Sequence, residues 1–292
     1  MPPREKTIDD HRQRINRVLL HIEGHLDEPL SLGILARVAC FSPFHFHRLF
    51  AAHVGESLHG HVRRLRLERG ALRLSLGEEN VTEVALMAGY ETPAAFTRAF
   101  REQFGVSPTD YRKERAMERS ELLKEERGLP TAEEAMALDA EIRQIPETKI
   151  LFVRRTGPYG EVAAGAWEAL MKFAYSRRLM TKDTRLIGIS HDDPSITPEE
   201  NIRYDACVTF AGDVKPEGEV GEKSIAGGRY TVFLHKGPYE NFADTYRAIF
   251  SRWLPISGEK LRDAPCFEVY LNRDPRRTKP ENLRSEIWMP VE

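Results

Sequence analysis

Ala39-Cys40-Phe41-Ser42-Pro43-Phe44-His45-Phe46-His47-Arg48-Leu49-Phe50, followed by Gly55-Glu56-Ser57, is written a second time. The second copy reads Ala88-Gly89-Tyr90-Glu91-Thr92-Pro93-Ala94-Ala95-Phe96-Thr97-Arg98-Ala99-Phe100, followed by Gly105-Val106-Ser107. At an offset of 50 residues Ser42/Thr92, Pro43/Pro93, Phe46/Phe96, Arg48/Arg98, Phe50/Phe100, Gly55/Gly105 and Ser57/Ser107 coincide. Ahead of the turn the offset is 49 (Ala36/Ala85, Ala39/Ala88), so the second turn is one residue longer.

Each copy reads as a helix, a turn and a second helix. Ser42-Pro43 and Thr92-Pro93 pair an N-cap hydroxyl with proline at the first helical position. Upstream, Ile15, Val18, Leu19, Ile22 and Leu26 recur at helical spacing, which predicts a helix over 9–26. Between the copies, Leu58, Val62, Leu65, Leu72 and Leu76 predict a long helix over 57–76. About twenty residues at ~1.5 Å each make a rod of roughly 30 Å. One turn of B-DNA is about 34 Å, the separation that two reading heads need. Asn80 with Glu83 predicts a capping box, and Ser107-Pro108 with Asp110 opens a seventh helix.

Two helix-turn-helix units in one chain point to sequence-specific binding of double-stranded DNA. The second helix of each unit enters the major groove, and its outer face meets base edges. Apolar Phe46, Leu49 and Phe50 define the inner face of the first such helix, which leaves Phe44, His47, Arg48 and Ala51 outside. By register the second offers Ala94, Thr97, Arg98 and Arg101. Arginine forks onto guanine, and threonine or an exposed aromatic meets a thymine methyl. Arg48 and Arg98 are the expected principal readers. Ser42 and Thr92 mark helix N-termini suited to phosphate.

Bulk charge adds little. Residues 1–116 carry 17 Lys+Arg against 15 Asp+Glu, and the whole chain has a formal net charge of −2. The Arg63–Arg69 stretch is one basic cluster, and a solvated helix face explains it equally well. No run of about eighteen apolar residues occurs, so no membrane partner is expected. The start Met1-Pro2-Pro3-Arg4 is not an apolar leader. Three widely spaced cysteines, Cys40, Cys207 and Cys266, suggest reduced thiols in a cytoplasm, near the nucleoid if DNA is the partner. No metal set or resident cofactor is expected.

From about 138 the pattern turns to strands: 149–156, 185–191, 203–210, 229–236, 265–272 and 285–291. This part repeats at an offset of 80, with Gly157-Pro158-Tyr159 returning as Gly237-Pro238-Tyr239. The expected fold is an all-α domain over 8–116, a linker over 117–137, and an α+β domain over 138–292. The last consists of two β-α-β-β repeats with helices on one face. In the strand around 268, alternation puts Glu268 and Tyr270 on one face and Phe267, Val269 and Leu271 on the other. The second set is expected under the helices, so Glu268 is expected to point away from them. An acid among Tyr and Trp suits a lipophilic cation. Trp167, Tyr204 and Trp288 are candidate walls.

The second helix-turn-helix copy, with Phe104-Gly105-Val106-Ser107-Pro108 and Tyr111-Arg112, closely resembles the AraC/XylS-type transcriptional regulators. That resemblance implies promoter binding, often as an activator, with RNA polymerase as a partner. Residues 138–292 resemble the gyrase-inhibitor-like effector-binding domain through Gly237-Pro238-Tyr239, Tyr204-Asp205-Ala206-Cys207, Phe267-Glu268-Val269-Tyr270 and Ile287-Trp288-Met289-Pro290. It implies a small-molecule effector and makes Glu268 the pocket acid. DNA domain first and effector domain second is similar to the right-origin-binding-protein type of regulator. Two other functions stay open for the C-terminal part: a small-molecule hydrolase using Glu268 with Tyr270 or Tyr204, and a gyrase-binding or other protein-interaction module.

Overall fold

The computed structural model describes residues 3–77, 79–125 and 140–292. It divides near residue 118 into two compact units. Most of the expected linker, and the first two residues of the expected C-terminal domain, lie outside the described residues.

The first unit is helical: α1 (Pro3–Gly24), α2 (Leu32–Val38), α3 (Pro43–Val54), α4 (Leu58–Leu76), α5 (Val81–Met87), α6 (Pro93–Phe104) and α7 (Pro108–Glu125). α7 continues past 117, into the stretch expected as linker. The caps predicted at Ser42, Asn80 and Thr92 form, and Ser57, expected inside the long helix, caps it instead. The Ser42, Ser57 and Thr92 hydroxyls accept from the backbone N–H three residues on, and Asn80 with Glu83 closes a capping box. Ile15, Val18, Ile22, Leu35, Phe46, Phe50 and Leu65 form the core of the first head. Each fully buried phenylalanine removes enough apolar surface to contribute roughly 1.5–3 kcal/mol.

The two turns share a left-handed residue. Cys40 has φ 53 and Gly89 has φ 76, at matching positions 49 residues apart. At Gly89 an added Cβ would stand 2.1 Å from the Leu26 carbonyl oxygen and 2.8 Å from Arg66 Nε. Glycine therefore serves there twice, for its φ and for the close approach.

The basic stretch on α4 is internal fastening. Arg66 donates to the carbonyls of Leu26 (2.8 Å) and Glu28 (2.7 Å), joining the turn after α1 to α4. Arg63 pairs with Glu102 of α6. Buried Arg64 donates to Glu56 (2.6 Å) and Glu68 (3.0 Å), and His61 Nδ1 lies 2.8 Å from Glu56. Burial of Glu56 opposes its ionisation, but the hydrogen bonds from His61 and Arg64 win and hold its pKa at about 2.

The second unit is one eight-stranded antiparallel sheet. Its strands are β1 (Ala140–Ile145), β2 (Thr148–Thr156), β3 (Leu186–Ser190), β4 (Arg203–Thr209), β5 (Gly221–Ile225), β6 (Gly228–Lys236), β7 (Phe267–Tyr270) and β8 (Arg284–Pro290). α8 (Tyr159–Ser176) follows β2. After β6 come α9 (Phe242–Ala248), a π turn (Ile249–Trp253) and the short α10 (Leu254–Ser257). Each half therefore has an extra leading strand, β1 or β5, absent from the expected β-α-β-β. In the order β1-β6-β8-β7-β3-β4-β2-β5 these two strands are exchanged, each closing the edge of the other half. Their sequences, Ala-Glu-Ile-Arg-Gln-Ile and Gly-Glu-Lys-Ser-Ile, are polar because edge strands face water.

Both helices lie on one face of the sheet. α8 packs Ala166 and Leu170 on Leu151, Val153, Tyr204, Ala206 and Val208. Ile249 and Trp253 pack on Phe233, Ile287 and Met289. β3 and β7 pair at the centre, where the two halves meet.

Candidate functional site

Two places hold the residues singled out in the sequence. On α3, Phe46 and Phe50 are fully buried, whereas Phe44 is 62% exposed. His47 and Arg48 are exposed beside it. The Arg48 guanidinium stacks over the Phe44 ring at 4.9 Å, and His47 Nδ1 lies 3.3 Å from the Pro43 carbonyl oxygen. On α6, Phe96 and Phe100 are fully buried. Ala94, Arg98 and Arg101 are exposed and Thr97 is half-buried. Among the described residues, no carboxylate pairs with Arg48, Arg98 or Arg101. The Ser42 and Thr92 hydroxyls are already occupied as N-caps, by the N–H groups of His45 (3.4 Å) and Ala95 (3.2 Å). Only their exposed helix N-termini remain open to a phosphate.

The second place lies at the seam between the halves of the sheet. Glu268 pairs in register with Gly188 on β3 and with Ile287 on β8. Ile287 packs beneath the π turn, so Glu268 points toward the helices. This reverses the expected orientation: Phe267 and Val269 take the helix-free face instead. Strand alternation fixes which residues share a face but not which face the helices cover.

Glu268 is 1% exposed. Its Oε1 accepts from Tyr246 Oη at 2.6 Å and from Ser190 Oγ at 3.3 Å. Its Oε2 is buried without a hydrogen-bond partner among the described residues. Burial pushes the carboxyl up to about 7, against the pull of the Tyr246 and Ser190 hydrogen bonds.

Aromatic side chains converge beside this carboxyl. Trp167 Nε1 of α8 donates to Tyr204 Oη at 2.9 Å, and Tyr204 Oη lies 3.1 Å from Tyr270 Oη. The Trp167 and Tyr270 rings meet edge-on at 5.6 Å, and Tyr239 meets Tyr270 at 5.1 Å. Burial raises the phenols of Tyr204, Tyr246 and Tyr270 above their usual range, so they are neutral donors and acceptors. Trp167, Tyr239, Tyr246 and Tyr270 are half-buried. A cation with apolar substituents would meet ring faces and one free carboxylate oxygen there.

The sequence reading brought Glu268, Tyr270, Tyr204 and Trp167 to one place. Trp288 is not among them. It stacks on Phe267 at 5.4 Å on the helix-free face, under the Arg143 guanidinium. The reading missed Gly188, Ser190 and Tyr246, and took Tyr239 only as part of a turn. The offset of 80 could have found Gly188 and Tyr239, which match Glu268 and Tyr159.

A second buried acid makes a contrast. Asp205 faces the helix-free side and is fully buried, yet it accepts from Arg154 (2.7 and 2.8 Å), lies 2.7 Å from His191 Nε2, and pairs with Lys223. Burial alone would raise its pKa, but Arg154, Lys223 and His191 hold it well below the usual carboxylate range. Asp205 is a satisfied structural acid. Glu268 is not satisfied.

Residues 138–292 match the family model described as a GyrI-like small molecule binding domain, and residues 35–114 match a helix-turn-helix domain model. The transcriptional regulator Rob of Salmonella typhimurium is 25% identical over 300 residues, covering 95% of this chain and 97% of that protein. The right origin-binding protein of Escherichia coli K12 is 24% identical over 298 residues, with the same coverage. The regulatory protein SoxS of Escherichia coli K12 is 30% identical over 102 residues, covering 35% of this chain and 95% of that protein.

Proposed function

Because this chain belongs to the GyrI-like small molecule binding family and carries an AraC-type helix-turn-helix domain, we propose that it reads promoter DNA through α3 and α6 and answers an organic cation held at Glu268. The working domains are 8–116 and 138–292, joined by 117–137. Arg48 and Arg98 are the main base readers, with Phe44, His47, Ala94, Thr97 and Arg101 on the same reading faces, while the helix starts at Ser42 and Thr92 meet the backbone. The chain acts in the cytoplasm on the nucleoid, as an activator that engages RNA polymerase.

One observation supports this reading above the others. The repeated helix pair leaves two arginines at equivalent outward positions with no carboxylate to neutralise them. The rod between the heads, nineteen residues of α4, spans about 28 Å at ~1.5 Å per residue. That suits adjacent turns of one groove. In the effector domain, the free Glu268 oxygen inside an aromatic box supports a cationic ligand over an anionic one.

The test is selection of genomic DNA fragments by the purified chain, alone and with tetraphenylphosphonium, repeated with Arg48→Ala and Arg98→Ala. The expected result is one motif with two half-sites about ten base pairs apart, each weakened by one substitution, and an affinity or transcript yield that the cation changes. Enrichment untouched by both substitutions would overturn the reading heads. An unchanged response to every lipophilic cation tried would overturn the effector half alone.

A further inference from the structure

Strand β7 serves two faces. Glu268 looks toward the helices, and its neighbour Val269 looks the other way, paired in register with Glu286. On that helix-free side Val269 lines a cavity of about 630 Å³ with Ile145, Leu271 and Trp288, and Leu186 and Tyr270, whose side chains face the helices, also border it. The volume is within the roughly 300–1,000 Å³ typical of small-molecule sites. Leu271 is 47% exposed at this cavity, an apolar group without cover.

The charged lining is one-sided. Arg143, Lys182, Arg185 and Arg273 contribute cations, and Glu286 is the carboxylate among the lining residues. Glu286 is already used. Its Oε1 accepts from Arg143 at 2.8 Å and its Oε2 from Trp288 Nε1 at 3.1 Å. Lys182, Arg185 and Arg273 are exposed, and none has a carboxylate partner among the described residues. The Arg273 guanidinium reaches only the Lys182 backbone carbonyl, at 3.5 Å. Three like charges around one concavity repel each other and raise the local positive potential. An anion relieves both.

We propose that this cavity binds an organic anion with an apolar body and a carboxylate or sulfonate head, separately from the cation held at Glu268. The head sits among Lys182, Arg185 and Arg273, and the body covers Val269, Leu271 and Ile145. The apolar lining favours such a molecule over a bare phosphate, and the limited volume favours a small molecule over a polymer.

The probe is 8-anilinonaphthalene-1-sulfonate, titrated into the full chain and followed by its blue-shifted emission. One saturable site is expected, weakened by salt. Lys182→Ala with Arg185→Ala and Arg273→Ala should lower its affinity about tenfold or more. The single charge reversal Arg185→Glu should lower it in the same direction. Tetraphenylphosphonium should not displace the probe. Wild-type affinity in the triple variant, or displacement by the cation, would overturn the proposal.

Discussion

Gly188 and Glu268 face each other across the β3–β7 pairing and occupy the same position of the two halves, 80 residues apart. The duplicated site thus carries an acid once and no side chain once. A Cβ at 188 would lie 2.6 Å from Tyr270 Oη, 2.8 Å from Tyr204 Oη and 3.0 Å from Glu268 Oε2. The missing side chain is the space in which these three polar groups converge.

Gly188→Ala is therefore expected to weaken lipophilic-cation binding by about tenfold or more, since packed groups give way only with strain. Trp167 fluorescence on titration with tetraphenylphosphonium reads this. Unchanged affinity in a folded Gly188→Ala protein contradicts the role given to the glycine.

The Glu268 carboxyl titrates near 7 in the fold and near 4.3 in an unfolded chain. The folded state holds the extra proton between these values, so this group's contribution makes stability fall as pH rises from about 4.5 through about 7. The loss is on the order of 3 kcal/mol by pH 8. Glu268→Gln removes the titration. Urea unfolding at pH 5 and pH 8 should show the variant gaining on the wild type at the higher pH. Cation affinity of the wild type should rise across the same window. Parallel pH profiles for the two proteins would contradict the buried-acid assignment.

Arg48→Ala and Arg98→Ala should each cost about 1–3 kcal/mol in binding to a selected operator and relax preference in one half-site. Neither should shift the thermal midpoint, because both side chains are exposed without ion-pair partners. Phe96→Ala, by contrast, empties a fully buried site and should cost about 3–5 kcal/mol of stability. Equal loss of binding at every sequence would demote the arginines to phosphate contacts.

The two left-handed turn residues predict opposite outcomes. Gly89→Ala meets the Leu26 carbonyl at 2.1 Å with φ 76 and should destabilise the second head by more than about 1 kcal/mol. Cys40→Gly relieves a non-glycine residue at φ 53 and should be neutral or stabilising by up to about 1 kcal/mol. Thermal unfolding of both variants compares them directly.

Much of the architecture was legible because duplication repeats its signals. Matching caps, matching aromatic pairs and matching Gly-Pro-Tyr turns each vouched for the other. The edge strands β1 and β5 escaped because they are short and polar-rich, with no sustained apolar pattern to mark them. The basic run on α4 read as a surface patch, yet Arg63, Arg64 and Arg66 are spent on Glu102, Glu56, Glu68 and two carbonyls. Those partners lie at sequence distances that no local pattern reports.

By itself the sequence determined the two helix-turn-helix heads, the rod between them, the duplicated α+β half and the grouping of Glu268 with Tyr270. Each of these depends on local periodicity or on self-similarity. Tertiary structure alone decided which face of the sheet the helices cover, and so turned Glu268 inward and Trp288 away. It also exchanged the edge strands, set Gly188 under the carboxylate, and satisfied Asp205 with cations while leaving one oxygen of Glu268 bare. A strand fixes the parity of its side chains, but only packing fixes their sign. A buried charge is structural or receptive according to partners that the fold brings in from elsewhere in the chain.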